Sequence, residues 1–435
     1  MKMRLFLFLF FFCISLAEAQ KMPSNRSSVY FTYGNTGANL REFNQMLDQK
    51  GLSPMRKAYR NFGFGYQTRY NDFVLGLELF QNNGPKSLFN GYELDYRTTR
   101  VFLNVGYSFT EEGRFQLIHY MSLGSGFMNF QMIRGGAEKT LDGFLQNPAH
   151  GFILRDGDIH KGSQHFAGFL TEIGFQLSYD IEIPGREEMV QVISKFGYSF
   201  SPFEDSWLMK DIAFGNAQSG PFLRFGAGIT LPDHNFFYKD ASLGLHLSYG
   251  LHFTEPDVLN AALVENGYRP FEGRPNNLGL KLLGESKGLL YGIDFYNLGL
   301  SGAATESSNH TLNSVRVYLN GGLKFFERRN LELGGLAGLG YANLRYTLTS
   351  TDKPDFPALF EEPDRDGHLK ARGLMGKPEL YVAYGIPLTN KNLFSMIVSL
   401  HGGYELPLGN YSLGGVGMSS YMANPYLQLS LGLRP

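Results

Sequence analysis

The chain has 435 residues, 53 of them glycine, with 15% aromatic residues, 18% charged residues and a formal net charge of −1. An ordinary soluble chain is about a quarter charged and about 7% glycine, so this composition leans toward an exported β protein with many close backbone approaches. The near-neutral balance gives no reason to expect nucleic acid or a strongly charged partner. The only cysteine, Cys13, lies in a leader whose removal excludes disulfides and thiol chemistry.

In chain order, Lys2 and Arg4 precede an apolar run from Leu5 to Leu16, and Ala17-Glu18-Ala19 is a small-x-small site. This predicts a cleaved secretory signal peptide over 1–19, too short in its apolar part to span a bilayer as a helix. Phe12 stands where a lipoprotein site wants a small residue, so Cys13 is not read as a lipid anchor. Cleavage takes Lys2, Arg4 and Glu18 with it and leaves a net charge of −2. No later apolar stretch is long enough for a transmembrane helix.

Period-two alternation then runs through nearly every segment. Phe62, Phe64, Tyr66, Thr68 and Tyr70 alternate with Asn61, Gly63, Gly65, Gln67 and Arg69; Ile173, Phe175, Leu177, Tyr179 and Ile181 alternate with Gly174, Gln176, Ser178 and Asp180. One face is large and apolar, while the other is glycine, serine and scattered charge. A soluble strand surface carries Lys, Glu and Thr instead, and glycine weakens a strand unless something approaches closely. The pattern therefore predicts strands with lipid on the apolar side and a polar lumen on the other. Eight strands are expected in a first half (20–231), near 28–34, 60–70, 72–82, 98–109, 114–131, 168–182, 189–201 and 220–231. Eight more are expected in a second half (241–435), near 242–250, 277–284, 288–298, 313–325, 331–349, 377–387, 393–405 and 421–433, after a periplasmic connection at 232–240. Connections alternate short and long, as periplasmic turns and extracellular loops do. Tyr66, Tyr70, Tyr179, Phe200 and Tyr404 fall near strand ends, where aromatic rings suit a membrane interface.

The chain also repeats itself. LDQKGLSP (47–54) returns as LVENGYRP (263–270), and at the same offset of 216 Asn61, Gly63, Gly76, Arg100, Asn104 and Gly124 match Asn277, Gly279, Gly292, Arg316, Asn320 and Gly340. One unit of roughly 200 residues is duplicated. Each repeated segment ends a short helix in the first extracellular loop of its half. Asn39 can cap the first, with Gly51 and Pro54 as stops; Thr254 can cap the second, Pro256 suits its first turn, and Gly267 and Pro270 stop it. Their apolar faces, Leu40, Phe43 and Leu47, then Leu259 and Leu263, either fold over the barrel mouth or lie on the rim. Two closures are open: one barrel of about 16 strands, or two of eight. Small inward residues and shared strand edges favour the single barrel. The expected fold is all-β, an antiparallel transmembrane β-barrel of about 16 strands from two homologous eight-strand halves.

Lumen-facing charges are the candidate functional set: Glu78, Arg100, Glu172 and Arg224 in the first half, and Asp294, Arg316, Glu332 and Glu379 in the second. In a wide barrel they tune selectivity; in a narrow one they pair and seal the interior. Asp364-Arg-Asp-Gly-His368 resembles the start of a calcium loop through Asp364 and Asp366, as Asp156-Gly157-Asp158 does in the first half, but the fifth and twelfth ligands are missing. His246 and Ser248 share a small polar face with no Asp or Asn to orient them, and His119 sits among outward apolar residues. No enzyme is expected, and no cofactor.

On its signal sequence, its alternating Gly/aromatic strands and its closing strand Tyr426-Leu-Gln-Leu-Ser-Leu-Gly-Leu433, the whole mature chain resembles the porin-like outer-membrane β-barrel proteins of Gram-negative bacteria, among them uncharacterised, internally duplicated ones. It departs from them in ending Leu433-Arg434-Pro435, where such barrels often end in an aromatic residue. The resemblance implies a protein of the cell outer membrane, with the lipid bilayer as its first partner. The expected function is a porin-like channel for small solutes; the alternative is a closed barrel serving as a structural or binding platform for an extracellular or periplasmic partner. No solute or oligomeric state is named by these residues.

Overall fold

The computed structural model describes residues 26–434 apart from 50, 52–53, 56–57, 71, 85–86, 90, 111–112, 136–139, 155–167, 186–187, 204–207, 210–211, 214–217, 233–240, 353–357 and 388–394. The expected signal peptide, nearly all of the 232–240 connection and Asp156-Gly157-Asp158 lie outside the described residues. The chain forms two compact units, Met1–Gly135 with Ile153–Asp233 and Pro354–Glu362, and Gly136–Phe152 with His234–Lys353 and Pro363–Pro435.

The first unit holds barrel strands β1 (Arg26–Gly37), β2 (Ala58–Tyr70), β3 (Phe73–Asn83), β4 (Tyr92–Ser108), β5 (Phe115–Arg134), β6 (Phe169–Glu182), β7 (Met189–Phe200) and β8 (Gly220–Pro232). Each pairs antiparallel with the next, and β8 returns to β1 from Arg26↔Pro232 to Thr36↔Phe222. The second holds β9 (Ala241–His252), β10 (Asn276–Ser286), β11 (Leu289–Ala303), β12 (Ser308–Arg328), β13 (Leu331–Ser350), β14 (Gly367–Pro387), β15 (Ser395–Pro407) and β16 (Asn424–Arg434). It closes where β16 pairs with β9, from Leu245↔Leu433 to His252↔Tyr426.

The single barrel of about 16 strands is therefore replaced by two closed barrels of eight. The reason lies in what the inward glycines do. Rather than leaving space, they receive rings from neighbouring strands. A Cβ on Gly65 would strike the Tyr30 ring, one on Gly340 the Tyr318 ring, one on Gly334 the Tyr381 ring and one on Gly403 the Tyr426 ring, 2.6 Å from its hydroxyl. An eight-stranded interior is just wide enough for side chains to fill, and alternating small with large residues fits them to it. Closure of each half on itself also removes both edges.

Strand ends run beyond the expected limits. β4 begins at Tyr92 rather than near 98, because its first residues pair with Ser87–Phe89 and with the end of β5. β14 begins at Gly367 rather than near 377, pairing with β13 from Gly367↔Leu348. At the short-turn end, Lys287 (φ 51°) and Gly288 (φ 81°) make the two-residue turn between β10 and β11, the left-handed pair that matches strand twist.

The walls are inverted relative to a water-soluble barrel. Outward Phe73, Leu319 and Leu380 are 64–65% exposed, whereas inward Arg100, Glu172 and Arg316 are fully buried. At the long-loop end both expected helices are present, α1 (Arg41–Gln49) and, after α2 (Leu141–Gln146), α3 (Asp257–Glu265). Both are stopped by glycines at positive φ, Gly51 (71°) and Gly267 (80°). Pro256, not Thr254, occupies the N-cap of α3, because the Thr254 hydroxyl donates instead to Tyr421 O at 3.2 Å. A clamp repeats in both copies at the offset of 216. The Asn44 side chain bonds both backbone groups of Met55 (2.8 and 2.9 Å), and Asn260 does so to Phe271 (2.8 and 3.1 Å).

Closure within each half predicts which engineered cysteines meet. In a chain lacking Cys13, the pairs Val29→Cys/Ile229→Cys and Leu247→Cys/Leu431→Cys should each oxidise to an intramolecular disulfide, read as a mobility shift on non-reducing gels. Cross-linking of Val29→Cys to Leu431→Cys instead would restore the single barrel.

Candidate functional site

The barrel interiors hold the chain's unusual chemistry. In the first, Glu78 on β3 accepts from Lys195 Nζ on β7 (2.6 Å) and from the Tyr30 hydroxyl on β1 (2.8 Å). Lys195 also lies over the Tyr120 ring, 4.3 Å from its centroid. Arg224 grips Glu172 through Nη1 and Nη2 (2.8 and 2.6 Å) and lies over the rings of Phe80 and Phe222 at 4.1 and 4.2 Å. Arg100 donates to Ser199 Oγ (3.1 Å) and Gln218 Oε1 (2.7 Å). Nearer the short turns, Asp180 accepts from Arg26 (2.5 Å), and from Gln116, Gln191 and Thr230 at 3.0 Å each.

The second interior is wired differently. Lys377 on β14 pairs with Asp294 on β11 and, at 3.2 Å, with Glu379. Glu379 also meets Lys281 (2.8 Å), His401 Nδ1 (2.8 Å) and the Tyr426 hydroxyl (2.5 Å). Glu405 on β15 is a second hub: it pairs with Arg316 and accepts from the hydroxyls of Tyr296 and Tyr318, the latter at 2.7 Å, with His252 Nδ1 3.2 Å away. Glycine-lined approaches and rings thus leave the ions in contact with one another rather than with open space.

Above this network, at the long-loop end, the second barrel is apolar. Leu300, Leu312, Leu344, Leu369 and Met375 of the wall pack with Leu259 and Leu263 of α3, with Leu141, Phe144 and Leu145 of α2, and with Tyr421 and Met422 of α4 (Ser419–Met422). So the face of α3 folds over the mouth and does not lie flat on the rim. Phe271, held by the Asn260 clamp, stacks on His310 at 3.8 Å and 8°. Burial raises the Tyr421 phenol to about 12, with Arg316 pulling the other way, so it stays a neutral hydroxyl throughout the neutral range.

All eight lumen-facing candidates are buried: Glu78, Arg100, Glu172, Arg224, Asp294, Arg316, Glu332 and Glu379. The structure brings Glu172 to Arg224, and Asp294 and Glu379 to the shared Lys377 and Lys281. Glu78 finds Lys195, Arg100 finds Ser199 and Gln218, and Arg316 finds Glu405, groups that the sequence reading passed over. Lys195, Lys281, Lys377, Glu405 and Asp180 were legible only as inward parity within their strands. Which non-adjacent strand supplies each partner follows from the closed ring alone. His246 and Ser248 face inward, with the His246 ring packed on Gly432. His119 is half-buried, edge-on to Phe175 at 5.0 Å. Asp366 is buried and accepts from Ser350 N at 2.8 Å, while Asp364 is exposed. Among the described residues no three His, Cys, Asp or Glu come together as a metal site.

Closed antiparallel eight-strand barrels with charged interiors and apolar walls define a barrel fold of the outer-membrane type. No family model and no curated protein matches the sequence. Among solved structures, the attachment invasion locus protein Ail of Yersinia pestis aligns over 45% of this chain and 98% of its own, at 12% identity and a TM-score of 0.25. The toluene transporter TodX of Pseudomonas putida aligns over 95% and 89%, at 10% identity and 0.22. The outer membrane protein OmpT of Vibrio cholerae aligns over 96% and 99%, at 8% identity and 0.19. These are likenesses of barrel fold and bring no activity to this chain.

Removing one partner of a fully buried ion pair strands the other. Glu172→Gln should lower stability by about 3–5 kcal/mol, read as a fall in the urea midpoint of the compact, unheated gel band in detergent. The charge swap Glu172→Arg/Arg224→Glu should recover part of that loss. An unchanged midpoint for the single variant would mean that the pair contributes nothing.

Proposed function

We propose that this chain is an integral outer-membrane protein whose two sealed barrels form a non-conducting scaffold, presenting long loops to a protein partner outside the cell. The observation that carries this reading is the state of the large inward cations: Arg100, Arg224 and Arg316 are all at or below 1% exposure and bonded across their barrels. A conducting lumen needs charges that face water and release what they bind. Here Arg224 and Arg316 are spent on carboxylates and Arg100 on neutral hydrogen-bond acceptors.

The membrane reading is supported by the walls. Leucine, phenylalanine and tyrosine stand exposed along every barrel, a surface that water would not tolerate as one continuous band. At the short-turn end of the first barrel, Phe73, Tyr107 and Phe109 cluster with centroids 5.8–5.9 Å apart, as aromatic residues do at a membrane interface. The short turns then belong to the periplasm and the long loops to the outside. In this reading the chain catalyses no reaction and uses no cofactor. The solute channel expected of a wide barrel loses its support, because no wide barrel is formed.

Two measurements check the proposal. In planar bilayers the purified protein should give no unitary current steps at any voltage the membrane tolerates; reproducible steps of one size would overturn the sealed reading. The mature chain should also require detergent or lipid to stay monodisperse, and a detergent-free monomer in buffer would overturn the membrane reading.

A further inference from the structure

Residues 140–152 follow β5 in the chain, yet they cluster with the second unit. Thr140 accepts from Gly143 N at 3.2 Å and caps α2. Leu141, Phe144 and Leu145 bury one face of that helix in the apolar mouth, with Phe144 edge-on to Tyr346 at 6.0 Å. Asp142, on the opposite side, is exposed. Polar bonds fix both ends. Leu141 N donates to Gly414 O (2.7 Å), the Tyr268 hydroxyl donates to Leu145 O (2.8 Å), and Gly151 O accepts from the backbone N–H groups of Arg365 and Asp366 (2.8 and 2.6 Å) in a β-bridge.

The seat is shaped for this segment. A Cβ on Gly367 would collide with Pro148 O and come within 2.6 Å of the Phe144 ring. A short helix presenting apolar residues at i, i+3 and i+4, followed by one strand-like bridge, is how a peptide ligand is read by a groove and an edge.

We propose that Thr140–Phe152 is a detachable strap, and that the mouth of the second barrel is a peptide-docking seat that recognises this sequence as its ligand. Local opening of such a strap does not require unfolding of the barrel beneath it. The inference goes beyond the scaffold reading and stands whether or not the barrels conduct.

The test uses the full chain, lacking Cys13, in detergent, with the heat-dependent gel shift reporting that the barrels are folded. A cysteine at Leu145 should react with a maleimide far more slowly than one at Asp142. Adding Gly367→Val should speed labelling at Leu145→Cys by roughly five- to a hundredfold, the range that overpacking of a filled site implies. Gly409→Val, placed in open space, should leave the rate unchanged. In a chain carrying Leu141→Asp, Phe144→Asp and Leu145→Asp, a fluorescent peptide of residues 140–152 should bind, and its Phe144→Asp version should not. Equal labelling at Leu145→Cys and Asp142→Cys would overturn the proposal, as would failure of the wild-type peptide to bind the vacated seat. The first comparison involves no disruptive glycine change, so it decides even where those variants fail to fold.

Discussion

A closed ring of eight strands leaves no room for a charge without a partner, and the rest of the molecule follows from that. An ion taken out of water loses several kcal/mol of hydration unless a counter-ion and hydrogen bonds replace it. Both interiors meet the condition by crossing the barrel. Arg224 reaches Glu172 and lies over the rings of Phe80 and Phe222; Glu405 gathers Arg316 and two tyrosine hydroxyls. The tyrosines that complete these networks fit only because glycine stands opposite them on the next strand. Ion pairing, aromatic packing and glycine placement are thus one constraint seen from three sides.

Duplication kept this constraint while exchanging the residues that meet it. Glu78 and Asp294 hold equivalent places, as do Arg100 and Arg316, and as do the Asn44 and Asn260 clamps. Their surroundings have diverged. By strand register Ser199 corresponds to Glu405, Lys195 to His401 and Glu172 to Lys377. Arg100 therefore bonds a serine and a glutamine, whereas Arg316 has a carboxylate. Acid and base changed positions, yet the inward ions named in each barrel kept hydrogen-bonding partners. Selection on a solute pathway would hold particular charges in place; selection for a sealed interior needs only that each buried ion finds hydrogen-bonding partners.

The long-loop end carries a different logic. The second barrel's upper interior is apolar and is filled by helices from loops rather than by the wall alone. Such a plug is assembled from short pieces, each too short to be stable as an isolated helix. Its cohesion comes from burial of Leu141, Phe144, Leu259 and Leu263 together, not from propensity in any one segment. Loops that already pack on one another make a defined surface to present.

Much of this was legible in the residues themselves. Alternation at period two named the strands, their inward and outward faces and the inward charges, because side-chain direction in a strand depends only on parity. The offset of 216 named the duplication and both helices, since repeated sequence folds to repeated structure. Three things required the tertiary structure. Glycine reads the same whether it borders a wide lumen or seats a tyrosine, so one barrel or two was decided by which edge β8 found. The pairs Glu78–Lys195, Glu172–Arg224, Lys281–Glu379 and Arg316–Glu405 join non-adjacent strands and have no sequence spacing, so they were decided by ring closure. The destination of residues 140–152 was decided by apolar burial and backbone bonding at a seat formed by residues more than a hundred positions away, a matter of contact in space that no local pattern encodes.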